Sequence, residues 1–328
     1  MNSFGKNFRV QIFGQSHGDY VGCTIDGCPA GIPLTINDFL ADLERRKPGA
    51  RGTTPRKEDD IPEIISGVFN NHTSGAPITI LFKNSNTRSS DYEKRREVPR
   101  PGHADFVANK KFAGFEDYRG GGHFSGRLTV ALVAAGVVAK KCIERYSQNN
   151  IAIESTLTEI GGEKDLDKGL KRAMDAKDSI GGIVECTVKN LPIGLGDPFF
   201  NSVESMISHA IFSIPAVKGI EFGAGFAAAK MFGSQHNDAI ISKDGITATN
   251  YAGGITGGLT NGNDLVFRVV VKPTSSTPKE QQTLNMESGN VESFSVKGRH
   301  DLCIALRVPV ILESVTAMVL ADLLMEVL

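Results

Sequence analysis

Apolar positions along the chain follow two different periods, which predicts a fold of mixed helices and strands. Short apolar or alternating stretches predict strands, at Phe8–Phe13, Ile78–Phe82, Ile183–Val188 and Leu265–Val271. Spacings of three and four residues predict helices, at Ile36–Arg46, Arg127–Arg145, Lys164–Ala176, Pro198–Ile214 and Val310–Leu328. Asp197 and Pro198 are typical of an N-cap followed by proline at the first helical position, so the fourth helix is predicted to begin there.

The predicted helix after Arg127 is apolar almost all round until it reaches Lys140 and Lys141. Such a helix must be covered on more than one side, as it would be between two sheets. A chain of 328 residues could hold one large domain or two ordinary ones. Because no linker, charge block or internal repeat divides it, we predict a single domain over residues 1–328 with long functional loops.

The composition argues against several classes of protein. Hydrophobic residues make up 40% and charged residues 22% of the chain, which is an ordinary globular balance. Met1–Arg9 lacks the apolar core of a secretory signal, and the longest apolar run, Leu128–Ala139, is shorter than the ~20 residues that span a bilayer. We therefore expect a cytoplasmic protein. Five cysteines without metal-ligand spacing indicate reduced structural thiols, with no disulfide and no metal site.

The formal net charge of −1 gives no global field that would gather nucleic acid or a membrane surface, so anion binding must be local. Arginines are dense in Arg45–Arg56 and Arg95–Arg100, and they recur at Arg119, Arg127 and Arg299. Solvation of the surface explains most such residues. Several of these, however, stand beside glycine and proline, where a rigid guanidinium fork for carboxylate or phosphate would be placed.

Two candidate sites contain a histidine in a turn. Gly14-Gln15-Ser16-His17-Gly18 matches the nucleophile elbow of serine hydrolases, but an elbow follows a central strand and only one short strand can precede residue 14. A plain turn with a solvated histidine is the other interpretation. In Arg100–Asp105, proline and glycine fix the backbone around His103, so its imidazole can be aimed at a ligand or can simply be solvated.

Three further segments have the composition of ligand sites. Arg119–Arg127 is a glycine-rich loop before a helix, in which backbone N–H groups can approach an anion or a flat ring. Lys272–Ser276 places a lysine and successive hydroxyls after a predicted strand, which suits a phosphate or a nucleotide tail. Asp301 stands near a predicted helix start, where its alternative role would be that of a cap.

In this order and spacing, these segments resemble the chorismate synthase family over nearly the whole chain, from Phe8 to Leu324. The resemblance is carried by Phe13–Gly18, Asp26–Pro33, Arg46–Arg56, Ser89–Tyr92, Arg100–Asp105, Asp117–Gly122, Ala252–Gly258, Lys272–Ser276 and Gly298–Asp301. It implies an α+β fold with helices sandwiched between two antiparallel β-sheets, assembled as a homotetramer. It also implies a lyase of the shikimate pathway that uses reduced FMN without net oxidation. The implied reaction is the anti-1,4-elimination of phosphate and a ring proton from 5-enolpyruvylshikimate-3-phosphate, which gives chorismate.

Carried over position by position, the resemblance implies roles for individual residues. His17 and His103 become the acid/base histidines, Asp301 the carboxylate beside the flavin, and Ser16 and Ser125 a hydroxyl relay. Substrate-binding arginines are expected at Arg46, Arg51, Arg100, Arg127 and Arg299. The flavin pocket is expected at His123, Phe124, Ser125, Pro215, Ala216, Gly257, Lys272, Pro273, Thr274, Ser275, Ser276 and Arg299.

The chain departs from the family pattern at Gln15, His123–Leu128, Pro215 and Leu302, so His123 and Phe124 are expected to contact the flavin through their backbone only. In the implied scheme His17 protonates the leaving phosphate, Asp301 assists removal of the hydrogen and His103 governs protonation of the flavin. Two sources of reduced FMN stay open: the chain could reduce the flavin itself with NADPH, or separate reductases could supply it. The alternative function is a non-catalytic FMN- or phosphate-binding module, which leaves both histidines and Asp301 without roles.

Overall fold

The computed structural model describes residues 2–49, 51–54, 59–85, 97–147, 149–296 and 300–327. The helices are α1 (Asn37–Arg46), α2 (Asp105–Lys111), α3 (Thr129–Tyr146), α4 (Leu166–Ala176), α5 (Val203–Ile211), α6 (Gly233–His236) and α7 (Val308–Val327). The strands are β1 (Ser3–Phe4), β2 (Arg9–Gly14), β3 (Tyr20–Asp26), β4 (Glu63–Ser66), β5 (Val68–Phe69), β6 (His72–Thr73), β7 (Ile78–Lys83), β8 (Ala152–Ile160), β9 (Gly182–Lys189), β10 (Val217–Phe222), β11 (Ile255–Thr256), β12 (Leu259–Thr260), β13 (Leu265–Val271), β14 (Gln281–Leu284) and β15 (Val291–Phe294). Short 3-10 turns cover Arg119–Phe124, Gly126–Leu128, Gly225–Lys230 and Ile304–Arg307.

Two antiparallel sheets enclose the long helices. The first has the strand order β1-β2-β3-β7-β4 and the second the order β10-β13-β9-β8. Helix α3 packs on β2, β3 and β7 of the first sheet, α7 packs on β8 and β9 of the second, and the two helices pack on each other. The layers are therefore sheet, α3, α7, sheet. This arrangement confirms the predicted α+β class with helices sandwiched between two antiparallel sheets.

The contact between α3 and α7 is close because α3 has a glycine where the two helices meet. A Cβ at Gly136 would lie 2.3 Å from Ser314 Cβ and 2.5 Å from Ser314 Cα on α7, distances that side chains do not tolerate. All residues of α3 from 129 to 139 are buried, as the apolar sequence of this helix predicts. The helix pair therefore forms the centre of the core.

One segment, Ile304–Glu326, is long and apolar enough to cross a membrane, with 23 residues and a mean hydropathy of 1.9. Its apolar window is 89% buried inside the protein, so it is a core helix. The expectation that no segment is apolar enough over the length of a membrane span is therefore wrong by length and composition. Two acidic residues of α7 break the run in sequence, yet both are buried: Glu313 accepts hydrogen bonds from Arg45, and Asp322 accepts them from the backbone of residues 6–8.

Helix α5 begins later than predicted. Its N-cap is Ser202, whose hydroxyl accepts a hydrogen bond from Ser205 N, whereas Asp197 N donates to Asn201 O in a preceding turn. The predicted start at Pro198 is therefore wrong, because the Asp-Pro pair belongs to that turn and not to a helix. All five cysteines, Cys23, Cys28, Cys142, Cys186 and Cys303, are buried free thiols, and burial raises the pKa of the Cys23 thiol to about 12.

Candidate active site

A cavity of about 920 Å³ lies where several elements end or begin. The end of α1, the start of α3, the turn between α5 and β10, the segment after β13 and the start of α7 all contribute to its wall. Part of the wall is apolar, with Ile12, Leu132, Ile311 and Met318. The rest carries most of the polar residues that the motifs indicate. The cavity thus has an apolar surface that suits a flat ring and, next to it, a polar surface that suits a polyanion.

His17 lies in the turn of the hairpin between β2 and β3, next to the cavity. The hairpin itself excludes the nucleophile elbow, which requires a helix after the turn. Ser16 is 1% exposed and its backbone N–H donates to Gly122 O at 3.0 Å, so the turn is attached to the glycine loop. His17 is buried as well, which also rules out the solvated turn histidine.

The glycine loop, residues 119–124, comes so close to His17 that only glycine fits. Gly120, Gly121 and Gly122 all have positive φ values, of 61°, 85° and 53°. A Cβ at Gly120 would lie 2.4 Å from His17 Cδ2, and one at Gly121 would lie 3.2 Å from His103 Nε2. The loop therefore packs against both candidate acid/base histidines.

His103 is oriented by a carboxylate. Its Nδ1 lies 2.6 Å from Asp105 Oδ1 and 3.0 Å from Arg100 Nη2. Because an ionised carboxylate can only accept, Nδ1–H donates a hydrogen bond to Asp105, and Nε2 is left for other chemistry. Arg100 donates to the same carboxylate from Nε and Nη2, each at 2.7 Å. Burial alone would raise the pKa of Asp105, but the hydrogen bonds from Arg100 and then His103 outweigh it and hold that pKa well below its usual range. Asp105 is therefore a fixed anion behind both residues.

Two of the predicted substrate arginines meet on one buried aspartate. Arg46, the last residue of α1, and Arg127, before α3, each place a terminal guanidinium nitrogen against a different oxygen of Asp60. Arg127 Nε also donates to Asn84 Oδ1 at 2.9 Å. Burial would raise the pKa of Asp60, but Arg46 and then Arg127 outweigh it and lower that pKa. The carboxylate is therefore ionised between two cations.

Asp301 faces the cavity from the segment before α7. Its Oδ1 accepts a hydrogen bond from Thr54 N at 2.8 Å, and its Oδ2 lies 3.4 Å from Arg307 Nη1. The following 3-10 turn has Cys303 at its N-cap, so the alternative role of Asp301 as a helix cap is wrong. Asp301 is instead held by a distant loop and by an arginine, with its carboxylate beside the cavity.

The segment after β13 continues the wall with residues 272–276. Lys272 Nζ donates to Gly102 O and to Ser275 Oγ, each at 3.0 Å, and Ser276 Oγ accepts from Arg100 Nη1 at 3.2 Å. Burial, and then repulsion from Lys218, lower the pKa of Lys272. An anion beside this lysine would oppose both effects and raise its pKa.

A family model for chorismate synthase matches residues 8–325 of the chain. Among curated relatives, the chorismate synthase of Chitinophaga pinensis is 71% identical over 325 residues, which cover 99% of this chain and 97% of that protein. The chain therefore belongs to the chorismate synthase family. The chorismate synthase of Saccharolobus solfataricus is 44% identical over 349 residues, 98% of this chain and 89% of that protein. A crystal structure of a chorismate synthase matches with a TM-score of 0.76 at 26% identity, over 99% of this chain and 94% of that one.

Membership in the chorismate synthase family confirms the predicted family, and with it a carbon–oxygen lyase of the shikimate pathway. Most of the residues that the resemblance singled out line the cavity: His17, Arg46, Arg100, His103, His123, Phe124, Ser125, Arg127, Pro215, Ala216, Lys272, Pro273, Thr274, Ser275, Ser276 and Asp301. Residues from seven separate parts of the chain are thus brought together.

Three of the expected residues, Ser16, Arg51 and Gly257, are not found in the wall of this cavity. Ser16 is buried behind His17, and the side chain of Arg51 is 61% exposed and lies 3.8 Å from Asp167. Gly257 sits between β11 and β12, outside the lining residues. Arg299 falls outside the described residues. Arg51 departs from its expected position because it points to the surface beside α4.

The side chain of His123 is occupied elsewhere. Its Nδ1 lies 2.8 Å from Gly14 O and its Nε2 lies 3.1 Å from Asn2 Oδ1, so the ring connects the glycine loop to the end of β2. Phe124 packs against Phe112, with ring centroids 6.3 Å apart. Ser125 Oγ accepts a hydrogen bond from Arg127 N and caps the turn before α3. At His123, a backbone role toward a ligand is thus compatible with the side-chain contacts.

Sequence reasoning gave no roles to Asp60, Asp105 or Arg307. Each acts on a residue that was predicted: Asp60 on Arg46 and Arg127, Asp105 on His103 and Arg100, Arg307 on Asp301. Asp105 belongs to the motif Arg100–Asp105. Its position two residues after His103 could therefore have indicated that its carboxylate orients that histidine. In the part of the chain that the structure describes, no cluster of three or more His, Cys, Asp or Glu side chains could hold a metal ion.

The cavity also fits the flavin that the family implies. Thr274 Oγ1 is buried without a hydrogen-bond partner among the described residues, next to Lys272 with its lowered pKa. Both groups suit a phosphate. Ala216 has a positive φ of 74°, which turns the chain sharply beside the apolar wall. The donors and the apolar surface therefore match a ligand that has a flat ring and a phosphate tail.

Proposed function

We propose that this chain is a cytoplasmic enzyme that converts 5-enolpyruvylshikimate-3-phosphate to chorismate by anti-1,4-elimination, with reduced FMN as cofactor. One observation carries the proposal: two buried or half-buried histidines and a carboxylate share one cavity with a marked excess of cations. The charged lining among the described residues is Arg46, Arg100, Arg127, Lys272, Arg307 and Asp301. A substrate with one phosphate and two carboxylates requires that excess.

The arginines bind and orient the substrate. Arg46 and Arg127 are anchored on Asp60, so both guanidinium groups are already ordered. Preordered donors reduce the entropy that is lost when an anion binds. The start of α3 lies in the same wall, and the positive end of an 18-residue helix adds to the attraction.

His17 is the proposed acid for the leaving phosphate. It is buried against the glycine loop, near Asp117, whose pKa is lowered mainly by the hydrogen bond from Arg119 and least by His17. A protonated imidazole beside the departing oxygen can neutralise the charge that develops there, an effect typically worth ~10²–10⁴-fold in rate. Ser16 and Ser125 remain the proposed hydroxyl relay around it.

FMN would be held by residues 272–276, which supply Lys272 and three hydroxyls for its phosphate, and by the turn at Pro215 and Ala216. The backbone at His123 to Ser125 adds donors. Roles for Gly257 and Arg299 stay part of the proposal, although Gly257 lies outside the lining and Arg299 lies outside the described residues. When bound, reduced FMN supplies an electron-rich ring that favours departure of the phosphate.

Asp301 is proposed to assist removal of the ring proton. Its carboxylate is fixed at Oδ1 by Thr54 N–H and approached at Oδ2 by Arg307, so it cannot turn away from the cavity without losing both contacts. His103, fixed at Nδ1 by Asp105, is proposed to hold or release a proton at Nε2. Because the elimination involves no net oxidation, the two groups need only move protons.

We also propose that residues 1–328 act as one domain and assemble as a homotetramer. The excursion between β10 and β13, residues 223–264, carries large apolar side chains that are mostly exposed, such as Phe226 (85%), Phe232 (76%) and Ile240 (73%). Patches of this kind mark interfaces. Light scattering coupled to gel filtration tests the assembly: a mass four times that of the chain supports it, and a monomer contradicts it.

Phosphate release from 5-enolpyruvylshikimate-3-phosphate, assayed without oxygen and with chemically reduced FMN, tests the activity. Release that depends on both the substrate and reduced FMN supports the enzyme. Tight binding of FMN without release would indicate the non-catalytic binding module. Aerobic turnover with FMN and NADPH alone would show that the chain reduces its own flavin, and its absence would assign that step to outside reductases.

A further inference from the structure

Asp60 occupies a position that nothing in its local sequence explains. It lies in the loop between α1 and β4, with a φ of 51°, and its side chain is 0% exposed. A left-handed backbone and the burial of a charge are both costly for aspartate, so contacts in the fold must compensate for them. Those contacts are the two guanidinium groups of Arg46 and Arg127.

One carboxylate between two guanidinium groups leaves a surplus of positive charge. Arg307 is close enough to Arg46 to lower its pKa further, after burial, which has the largest effect. Arg46 Nε is buried without a hydrogen-bond partner among the described residues, and its Nη1 makes only a 3.4 Å contact with Thr129 Oγ1. Arg46 therefore has unused donors beside the cavity and is held mainly by Asp60, whereas Arg127 is held by Asp60 together with Asn84 and the carbonyl oxygen of Lys83.

We propose that Asp60 is a positioning residue that holds Arg46 and Arg127 as a two-armed clamp for one anionic group of the substrate. The inference rests on the proposed function, because it assigns that group to the substrate of the elimination. Asp60 does not touch the substrate. It fixes the separation of the two guanidinium groups, cancels their mutual repulsion and leaves the clamp enough charge for an anion.

The test compares Asp60→Asn with Asp42→Asn. Asp42 also bridges two cations, Arg45 at 3.3 Å and Lys140 at 2.7 Å, but it lies outside the cavity wall, so it is a matched control. Substrate binding is measured by calorimetry with oxidised FMN, so that turnover is not needed. The Kd for 5-enolpyruvylshikimate-3-phosphate should rise roughly 10- to 100-fold in Asp60→Asn, as expected when charged hydrogen bonds are lost, and stay unchanged in Asp42→Asn.

Two further readouts separate positioning from a general structural role. The Kd for FMN should stay within about twofold of that of the unaltered protein, because the hydrogen bonds of Asp60 go to Arg46 and Arg127 and not to the proposed FMN-phosphate residues 272–276. Asp60→Gly removes the carboxylate without backbone strain, since glycine accepts a positive φ. Formate should then restore part of the substrate affinity in Asp60→Gly and none in Asp60→Asn, whose amide fills the same space.

Unchanged substrate affinity in folded Asp60→Asn would overturn the inference, and so would an equal loss of FMN affinity. If Asp60→Asn does not fold, Asp60→Glu decides, because it keeps the charge and displaces it by one methylene. A weaker substrate Kd in Asp60→Glu then supports the clamp, and an unchanged one overturns it. Failure of the unaltered protein to bind the substrate would instead contradict the proposed function.

Discussion

Replacement of Gly120 by alanine should displace His17. The alanine Cβ would lie 2.4 Å from His17 Cδ2, 2.5 Å from His17 Nε2 and 2.9 Å from Ser16 Oγ. An ordinary contact requires about 3.4 Å or more, so the imidazole must move by roughly 1 Å or the glycine loop must shift as far. The φ of 61° adds about 1–2 kcal/mol of backbone strain for alanine.

The consequence for catalysis follows from that displacement. A misplacement of about 1 Å in a catalytic group can lower the rate about 10²-fold. We therefore expect phosphate release by Gly120→Ala to fall by about that factor, while the Kd for FMN changes less than about threefold because the added Cβ meets none of residues 272–276, which are proposed to bind the FMN phosphate.

Gly126→Ala is the matched control, since Gly126 lines the same cavity, its φ is not positive, and a Cβ there would meet nothing within 4 Å. It should keep a near-normal rate. Rates are measured anaerobically with reduced FMN, and circular dichroism checks the fold of both variants. A normal rate in folded Gly120→Ala would refute the placement of His17 against the loop.

Three further outcomes are expected. Asp301→Asn keeps the acceptor for Thr54 N but loses the charge, so phosphate release should slow ~10²-fold or more with FMN affinity little changed, and the deuterium isotope effect on the lost ring proton should grow. Lys272→Met should weaken FMN binding roughly 10- to 100-fold in a fluorescence titration, whereas Lys218→Met, outside the cavity wall, should not weaken it. Although burial raises it, the pKa of Asp105 is lowered in the folded protein, mainly by Arg100 and then by His103. The ionised carboxylate therefore stabilises the fold above about pH 4, and this contribution is lost as the pH falls below that value. In urea unfolding, Asp105→Asn should accordingly lose less stability on acidification than the unaltered protein.

Helices and strands in which apolar residues recur with one clear spacing were predictable from the sequence. Strand β13 matches its predicted bounds, Leu265–Val271, and α3 and α7 differ from theirs by one or two residues at each end. In the two main sheets, strands β1, β3, β4, β8 and β10 were missed. β8, for instance, is rich in glutamate and threonine and lies at a sheet edge, so little apolar alternation marks it. Pairing decides such strands: β3 pairs with β2 and β7, β8 with β9, and β10 with β13.

The candidate site was predictable from local sequence only where glycine or proline within a motif fixes the turn that positions the functional side chain. His17, His103 and the glycine loop are such cases. Asp60 ends the run Glu58-Asp59-Asp60, which looks like an ordinary solvated surface. Its partner Arg127 lies 67 positions away, and its role appears only when the end of α1 and the start of α3 meet. The position of Arg307 beside Asp301 depends in the same way on tertiary contacts.

The most direct test of the central claim is the stoichiometry of the reaction under anaerobic conditions. 5-Enolpyruvylshikimate-3-phosphate in large excess is mixed with the protein and reduced FMN, and chorismate, phosphate and the redox state of the flavin are followed together. We expect one chorismate for each phosphate, many turnovers for each FMN, and a flavin that is still reduced at the end. Phosphate without chorismate, or one oxidised flavin for each product, would contradict a lyase that moves protons through His17 and Asp301 without net oxidation.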